Sequence, residues 1–301
     1  MDYPKLIRDK VDFYLRRSNR KISAGSLYSL ALDGNGKVYG WGFNFNHYTR
    51  TNISDNLPPL VAISTGGNHC LALDANGNVY AWGNNTYGAI PTHLPTIVAI
   101  STGRWHNLVL DGNGRVHTWG WNYKSQIDIP SDLPHIVAIS AGGNFSLALD
   151  MNGRVHSWGD NLAGQTAIPA NLPHIVAISA GEYHGMALDV DGRVYAWGAN
   201  GFDQSDIPSD LPKIVAISAG GYHSMALDVK GKVYSWGSEG MSQKDIPTNL
   251  PPIVAISAGY SHSLALDANG KIYVWGSFNF EGKMEITDLE NKNFSLSSNY
   301  C

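Results

Sequence analysis

The sequence predicts an all-β fold, a seven-bladed β-propeller made of repeats of about 39 residues, with a short N-terminal helix. Three observations predict it. Trp-Gly pairs recur at steps of 37 to 41 residues, and an Ile-Ser-(Ala/Thr)-Gly motif and an aspartate that closes an apolar run keep the same spacing. The 301 residues include 33 glycines and 14 prolines, and only 15% are charged, which suits many short strands and turns. The recurring tryptophans are Trp41, Trp82, Trp119, Trp158, Trp197, Trp236 and Trp275.

Each repeat contains three predicted strands. In residues 214–237, three short runs rich in Val, Ile, Ala and aromatic residues are separated by turns that contain glycine. The Asp-x-x-Gly turn, at 150–153 in the fourth repeat, resembles the opening of a calcium loop. Such a loop needs carboxylates at alternating positions over about twelve residues, whereas this chain returns at once to a strand. The turn is therefore predicted to be a β-hairpin.

A proline-rich segment connects the repeats. Ile-Pro-x-x-Leu-Pro follows the Trp-Gly pair, for example at 129–134, and proline has no N–H group for a strand ladder. Each repeat is expected to form a three- or four-stranded antiparallel sheet that needs a neighbour on both faces. Because the first and last repeats keep the motifs, we expect seven four-stranded blades that close into a ring, with the tryptophans packed between them.

These assignments divide the chain into a basic amphipathic arm (1–21), a propeller (22–294) and a tail (295–301). A helix is predicted over about residues 4–17, where apolar side chains recur at helical spacing. We expect its apolar stripe to dock on the propeller. A membrane-surface helix or a partner helix is the alternative. Cys301 is the last residue of the sequence and is compatible with a truncated prenylation signal, so lipidation of Cys301 is a second way in which the chain could associate with a membrane.

Charge and composition exclude several classes of function. The net charge is −4, and since residues 1–21 carry seven Lys/Arg against three Asp, the rest of the chain carries −8. An acidic body argues against nucleic acid as the main partner. The sequence contains no apolar run of 18 residues, so no transmembrane segment is predicted, and its first residues do not resemble a signal peptide. A monomer is expected, either cytoplasmic or secreted without a classical signal into a host cytosol.

Histidine recurs at the start of the second strand of five repeats. Metal binding is excluded by distance, because equivalent positions in neighbouring blades are about 10 Å apart and zinc ligands lie about 2 Å from the ion. These histidines are predicted to be structural and to bond to the backbone. No phosphate loop, nucleophile elbow or zinc-protease motif occurs, so we predict no catalytic residues, no metal and no cofactor.

Two sets of variable positions predict a protein-binding surface. One set lies in the turn between the first and second strands, the other follows the Trp-Gly pair, and antiparallel strands place both at one face. Large aromatic residues and arginine at variable turns are typical of binding hot spots. The first set consists of Leu27, Arg104, Trp105, Glu182, Tyr183, Tyr222 and Tyr260. The second consists of Phe43, Phe45, Tyr87, Trp121, Tyr123, Asp160, Phe202, Asp203, Met241 and Phe278.

The pattern Val-Ala-Ile-Ser-Ala-Gly-x-x-His-Ser-x-Ala-Leu-Asp-x-x-Gly-x-Val-Tyr-x-Trp-Gly resembles the regulator of chromosome condensation repeat. The resemblance covers about 270 residues and implies a seven-bladed propeller. It also implies a protein partner, either a small GTPase of the Ran type or a GTPase regulator, and a role as a bacterial effector inside a host cell.

Exchange-type members of this family use a wedge inserted between strands to displace nucleotide from the GTPase. No repeat of this chain carries an insertion long enough to form such a wedge, so the resemblance leaves nucleotide exchange open. The compact repeat around 165–170 is also similar to bacterial propeller-type β-lactamase inhibitors. An inhibitor that covers the active site of such an enzyme is therefore the alternative function.

Overall fold

The computed structural model describes residues 21–42, 53–54, 56–84, 89–240 and 242–276, and this part of the chain forms seven three-stranded antiparallel sheets. Each sheet is one blade, and its strands follow chain order from the first to the third. Blade 1 contains β1 (Ile22–Ala24), β2 (Tyr28–Leu32) and β3 (Val38–Gly42), and blade 2 contains β4 (Leu60–Thr65), β5 (His69–Asp74) and β6 (Val79–Gly83). Blade 3 contains β7 (Ile97–Thr102), β8 (His106–Asp111) and β9 (Val116–Gly120), and blade 4 contains β10 (Ile136–Ala141), β11 (Phe145–Asp150) and β12 (Val155–Gly159). Blade 5 contains β13 (Ile175–Ala180), β14 (His184–Asp189) and β15 (Val194–Gly198). Blade 6 contains β16 (Ile214–Ala219), β17 (His223–Asp228) and β18 (Val233–Gly237), and blade 7 contains β19 (Ile253–Ala258), β20 (His262–Asp267) and β21 (Ile272–Gly276).

The fold prediction is confirmed, with one correction: each described blade has three strands rather than four. The proline-rich connections at 127–135, 166–174 and 205–213 contain no strand. In two of them the chain turns back on itself, since Leu133 N–H donates to the Pro130 carbonyl and Leu211 N–H to the Pro208 carbonyl. Because two prolines in each segment lack a donor, the segment cannot extend the ladder of the third strand.

The middle strand of each blade is its most buried element, and the hairpin after it is held by its terminal aspartate. Asp150 Oδ1 accepts the N–H groups of Asn152 and Arg154 at 2.8 and 2.9 Å, and its Oδ2 contacts His156 Nε2 at 3.1 Å. Burial raises the pKa of Asp150, but these hydrogen bonds lower it more, so the pKa lies below its usual value. The same two backbone bonds recur in all seven blades, which confirms the hairpin prediction.

The first strands of the blades contact one another around a central channel lined mainly by Ile, Ser, Ala and Thr side chains. The serine of each Ile-Ser motif joins its blade to the next, because its Oγ accepts a backbone N–H from the neighbouring first strand at 2.9 to 3.0 Å. Ser257 Oγ accepts Ala24 N–H at 3.0 Å, which joins blade 7 to blade 1. The ring is therefore closed.

Six of the seven repeated tryptophans are 6–8% exposed and pack among the aliphatic side chains between blades. Trp158, for example, lies in one cluster with Leu108 and Leu110 of the preceding blade. Each such indole removes on the order of 150–250 Å² from water, and the predicted inter-blade role of the tryptophans is therefore confirmed.

Several sequence predictions fall outside the described residues: the N-terminal helix, the residues after 276 including the C-terminal tail, and Cys301. Within the part that is described, no helix combines the length and the hydropathy needed to cross a bilayer.

Candidate protein-binding face

The two variable sets lie at the same end of the propeller, which we call the loop face. It consists of the turns between first and second strands and the loops that follow Trp-Gly. Trp121 N–H donates to the Trp105 carbonyl at 2.8 Å, and Ala199 N–H donates to the Tyr183 carbonyl at 2.9 Å. The same bond recurs in blades 2, 4 and 6. The prediction that turns and loops share one surface is therefore correct.

The glycine of the Trp-Gly pair permits this contact. Gly198 has φ of +100°, and a Cβ atom on it would lie 2.7 Å from the Tyr183 carbonyl oxygen. A side chain would therefore separate the loop from the turn. The dipeptide thus serves two purposes, because its tryptophan packs between blades and its glycine brings the loop against the turn.

A buried glutamine seven residues after the tryptophan shapes each loop that is described in full or nearly so. Gln126, Gln165, Gln204 and Gln243 are at most 1% exposed. Their backbone carbonyls accept hydrogen bonds from the next blade: the Gln204 carbonyl accepts Trp236 Nε1–H at 3.0 Å and Ser224 Oγ–H at 2.8 Å. These glutamines were not predicted, although their 39-residue spacing in the sequence was a usable signal.

The residue before each glutamine adopts a left-handed backbone conformation. Gly164 has φ of +80°, whereas Ser125, Asp203 and Ser242 have φ of 52–57° in the equivalent position. The Gly-Gln turn is therefore present in four loops, although only one of them has the glycine.

We expect Ser125→Gly to stabilise the protein by up to about 1 kcal/mol, because glycine avoids the steric cost of this conformation. Gly164→Ala is the matched reverse change and should destabilise by about 1 kcal/mol. Denaturant unfolding of both variants measures the two effects, and shifts of the same sign would contradict the assignment.

All five histidines bridge blades through side chains, which corrects the prediction that they bond to the backbone, although His106 also has a hydrogen bond to the Phe145 backbone. Nε2 lies 2.8–3.0 Å from a side-chain oxygen in the next blade, and His262 with Ser29 closes the set from blade 7 to blade 1. Ser224 Oγ–H donates to the Gln204 carbonyl, so His184 Nε2 must donate to Ser224 Oγ. Nε2 therefore carries a proton, and because burial lowers the pKa of His184 to about 4, the ring is neutral at pH 7. No three metal-ligating side chains gather among the described residues.

The aromatic residues of blades 5 to 7 form one cluster on the loop face. Tyr222 is at its centre, with ring centroids 5.9 Å from Tyr183, 5.0 Å from Phe202 and 5.1 Å from Tyr260. The Tyr222 and Tyr260 hydroxyls are 2.7 Å apart. Burial and this hydrogen bond raise the pKa of Tyr222 to about 12, so the phenol is neutral at pH 7. Phe202 is 50% exposed.

A second aromatic group lies on blade 3. Trp105, Trp121 and Tyr123 line a shallow pocket of about 330 Å³ together with Lys124 and Asn144. Trp121 is 44% and Tyr123 79% exposed, and their ring centroids are 6.5 Å apart. The Lys124 ammonium lies 5.6 Å from the Tyr123 ring centroid. The rings of Trp121 and Tyr123 therefore contribute little to the core.

An ion pair separates the two aromatic groups. Arg104 of blade 3 reaches Glu182 of blade 5, with 2.6 Å between Nη1 and Oε1, and both residues line the mouth of the channel. The pair passes the turn of blade 4, where Gly143 has no side chain to block it. Burial raises the pKa of Glu182, and the charge of Arg104 opposes the rise. Glu182 was predicted as a contact residue of the binding surface, but its side chain is only 9% exposed because it turns towards Arg104.

The remaining predicted residues are spread around the same face. Leu27 is exposed at the turn of blade 1, Asp160 lies 4.0 Å from Lys124, and Asp203 is an exposed residue of the left-handed turn. The other predicted residues lie outside the described part, namely Phe43, Phe45, Tyr87, Met241 and Phe278.

The described turns and loops of this face carry more acids than bases. The three cations are Arg104, Lys124 and Lys244, and the seven carboxylates belong to Asp128, Asp160, Glu182, Asp203, Asp206, Glu239 and Asp245. Each cation faces one of these carboxylates, since Lys244 pairs with Glu239. Excess negative charge therefore surrounds the aromatic clusters.

Comparison with known proteins gives one family match. The regulator of chromosome condensation (RCC1) repeat is matched seven times, at residues 20–47, 60–89, 97–126, 136–165, 175–204, 214–243 and 253–283. The comparison with curated protein sequences gives no match.

Solved structures with the same architecture include yeast RCC1 (Prp20) bound to Kap60, at 25% identity and a TM-score of 0.65, covering 74% of this chain and 71% of that one. Prp20p from Saccharomyces cerevisiae, studied with its binding to Gsp1p and histones, is 22% identical with a TM-score of 0.67 and 89% and 84% coverage. The ectodomain of the Arabidopsis thaliana receptor kinase ACR4 is 20% identical with a TM-score of 0.70 and 87% and 98% coverage.

Proposed function

Since the chain belongs to the RCC1 repeat family, we propose that its loop face binds a protein partner, and that this partner is a small GTPase of the Ran type or a regulator of one. Yeast Prp20p, which has the same fold, is described as binding Gsp1p and histones. The observation that carries the proposal is the pair of aromatic groups around the Arg104–Glu182 ion pair, which combine exposed rings with a partly desolvated centre.

The charge of the face favours a partner with a basic contact surface. The described turns and loops of the face carry seven carboxylates and three cations. This excess of negative charge attracts Lys and Arg side chains of a partner during encounter and aligns the partner with the face. The exposed rings of Tyr123, Trp121 and Phe202 then supply apolar contact area. The alternative, an inhibitor that covers the active site of a β-lactamase, stays a prediction without a supporting observation.

We expect Tyr123→Ala and Phe202→Ala each to weaken binding of a Ran-type GTPase about tenfold or more, because truncating an interface hot spot costs at least about 1–2 kcal/mol. Isothermal titration with the nucleotide-free, GDP-loaded and GTP-loaded GTPase measures the effect. Met151→Ala is a matched control, since Met151 is 56% exposed at the other end of the propeller.

Two results would overturn the proposal. One is the absence of binding, by a correctly folded chain, both to every nucleotide form of the GTPase and to its regulators. The other is an equal loss with Met151→Ala, which would place the partner elsewhere. Release of labelled GDP in the same titration tests nucleotide exchange, which the proposal does not require.

A further inference from the structure

The opposite end of the propeller, which we call the hairpin face, carries a ring of positive charge. It consists of the hairpins between second and third strands and the residues just before each first strand. The fourth residue after each hairpin aspartate is exposed, and in six of seven blades it is basic. The six are Lys37, Arg115, Arg154, Arg193, Lys232 and Lys271, and blade 2 has Asn78 instead.

Local structure holds these side chains at the rim. Lys232 Nζ lies 4.8 Å from the ring centroid of Tyr234, two residues on, and the Tyr234 hydroxyl donates to Asp228 at 3.3 Å. The same cation–ring contact occurs in blades 1 and 7. The hairpin aspartates are buried beneath the rim and turned inward to their own backbone, so the cations are the groups that an approaching surface meets first.

Exposed charges are therefore segregated between the two ends of the molecule. Lys213 and Lys230 add to the six rim cations, and the exposed carboxylates on or near this face are Asp132, Asp191 and Asp210. Exposed apolar side chains project from the same hairpins: Met151 and Val229 are each 56% exposed. The hairpin face thus combines cations with apolar tips, whereas the loop face combines aromatic rings with acids.

We propose that the hairpin face docks on an anionic lipid bilayer. Neighbouring blades are about 10 Å apart, and ionic screening acts over about 8 Å at physiological salt, so a small or narrow ligand engages only two or three rim cations. An extended flat surface engages all six. Met151 and Val229 then enter the interfacial layer, where apolar area adds to the electrostatic attraction. Nucleic acid is favoured instead by a continuous basic groove or stripe, which a ring of separated cations does not form.

The test is co-sedimentation of the full chain with phosphatidylcholine vesicles that contain or lack phosphatidylserine. We expect binding only to the phosphatidylserine vesicles, with loss of binding as salt rises. Arg193→Gln combined with Lys232→Gln should weaken binding about tenfold or more, since each cation near an anionic surface contributes about a fivefold factor. Lys124→Gln combined with Lys244→Gln, on the loop face, is the matched control and should change binding less than twofold.

The basic N-terminal arm needs its own control, because it is a second source of positive charge. If Arg16→Gln with Arg17→Gln in the full chain abolishes vesicle binding while the hairpin pair leaves it unchanged, the proposal is wrong. It is equally wrong if both charge pairs on the propeller act alike, or if the chain binds duplex DNA more tightly than the phosphatidylserine vesicles. GTPase binding at the loop face is measured separately, so failure of either proposal is distinguishable.

Discussion

Replacing Trp236 with alanine is expected to lower the free energy of unfolding by about 3–5 kcal/mol, the usual cost of deleting a buried aromatic side chain. Trp236 is 6% exposed and lies in one cluster with Met186 and Leu188 of the preceding blade. Its indole N–H also donates to the Gln204 carbonyl at 3.0 Å, so the loop that carries Phe202 loses a donor from the next blade. Thermal unfolding should show a decrease in Tm on the order of 10 °C.

Two further variants separate packing from hydrogen bonding. Trp236→Phe keeps most of the ring volume but removes the donor, and should cost about 1–2 kcal/mol. Trp121→Ala is the matched control, since Trp121 is 44% exposed on the loop face, and it should cost less than about 1 kcal/mol. Equal losses for Trp236→Ala and Trp121→Ala would show that the repeated tryptophans do not stabilise the contact between blades.

The architecture was predictable because the seven repeats impose the same packing problem seven times. Only a closed ring buries both faces of every sheet while the terminal repeats keep the same motifs. The prediction of a fourth strand in each blade was wrong, because periodicity shows where a segment recurs but not whether its backbone can complete a hydrogen-bond ladder. Two prolines in 129–134 decide that point, and their missing donors weigh more than the spacing.

The histidine bridges were missed because their partners lie in the next repeat, about 40 residues away. The signal exists in the sequence once two repeats are read together. His106, His184, His223 and His262 each bond to a serine of the next blade, and His69 bonds to Asn107. In the two repeats without this histidine, Tyr28 contacts Cys70, and Phe145 has Gly185 at the equivalent position of the next repeat. The residue of the next blade that faces each histidine therefore has a hydroxyl or an amide. The residues at this position opposite Phe145 and Tyr28 are smaller or less polar.

The Arg104–Glu182 contact was beyond sequence reasoning for a different reason. The two residues are 78 positions apart, and their approach depends on the angle between blades and on the bare turn at Gly143. Both residues were predicted on the correct face, but as separate contacts. Together they form one partly buried group at the channel mouth, so Arg104→Ala would leave a buried carboxylate without its cation rather than remove a single contact.

The protein is expected to lose stability steeply as the pH falls from 6.5 towards 4. Burial lowers the pKa of His69, His184 and His262 to about 4 and that of His106 and His223 to about 3, and neighbouring histidines add to the effect for the last two. A base with a lowered pKa in the folded state binds its proton only on unfolding. Stability is therefore fully present above pH 6.5 and decreases as the pH falls towards the folded-state values.

Five such groups act together, so the effect is large. Each contributes about 1.4 kcal/mol per pH unit, or about 7 kcal/mol per pH unit in all, against a total stability on the order of 5–15 kcal/mol. We expect half of the molecules to be unfolded near pH 5, as measured by urea unfolding at a series of pH values. Asp74, Asp111 and Asp150 do not produce this loss, because burial raises the pKa of each carboxyl but hydrogen bonds lower it more, and a carboxylate with a lowered pKa loses its stabilisation only below about pH 4.

The sharpest control copies a pair that the chain already contains. His223→Phe combined with Ser263→Gly reproduces the Phe145–Gly185 pair of blades 4 and 5, and it removes one titrating group without leaving an unbonded hydroxyl. The slope of unfolding free energy against pH between 5 and 6 should fall by about one fifth relative to the parent, because one proton of five is no longer taken up on unfolding. A slope unchanged by this pair would show that the inter-blade histidines are not the groups that make the propeller acid-sensitive.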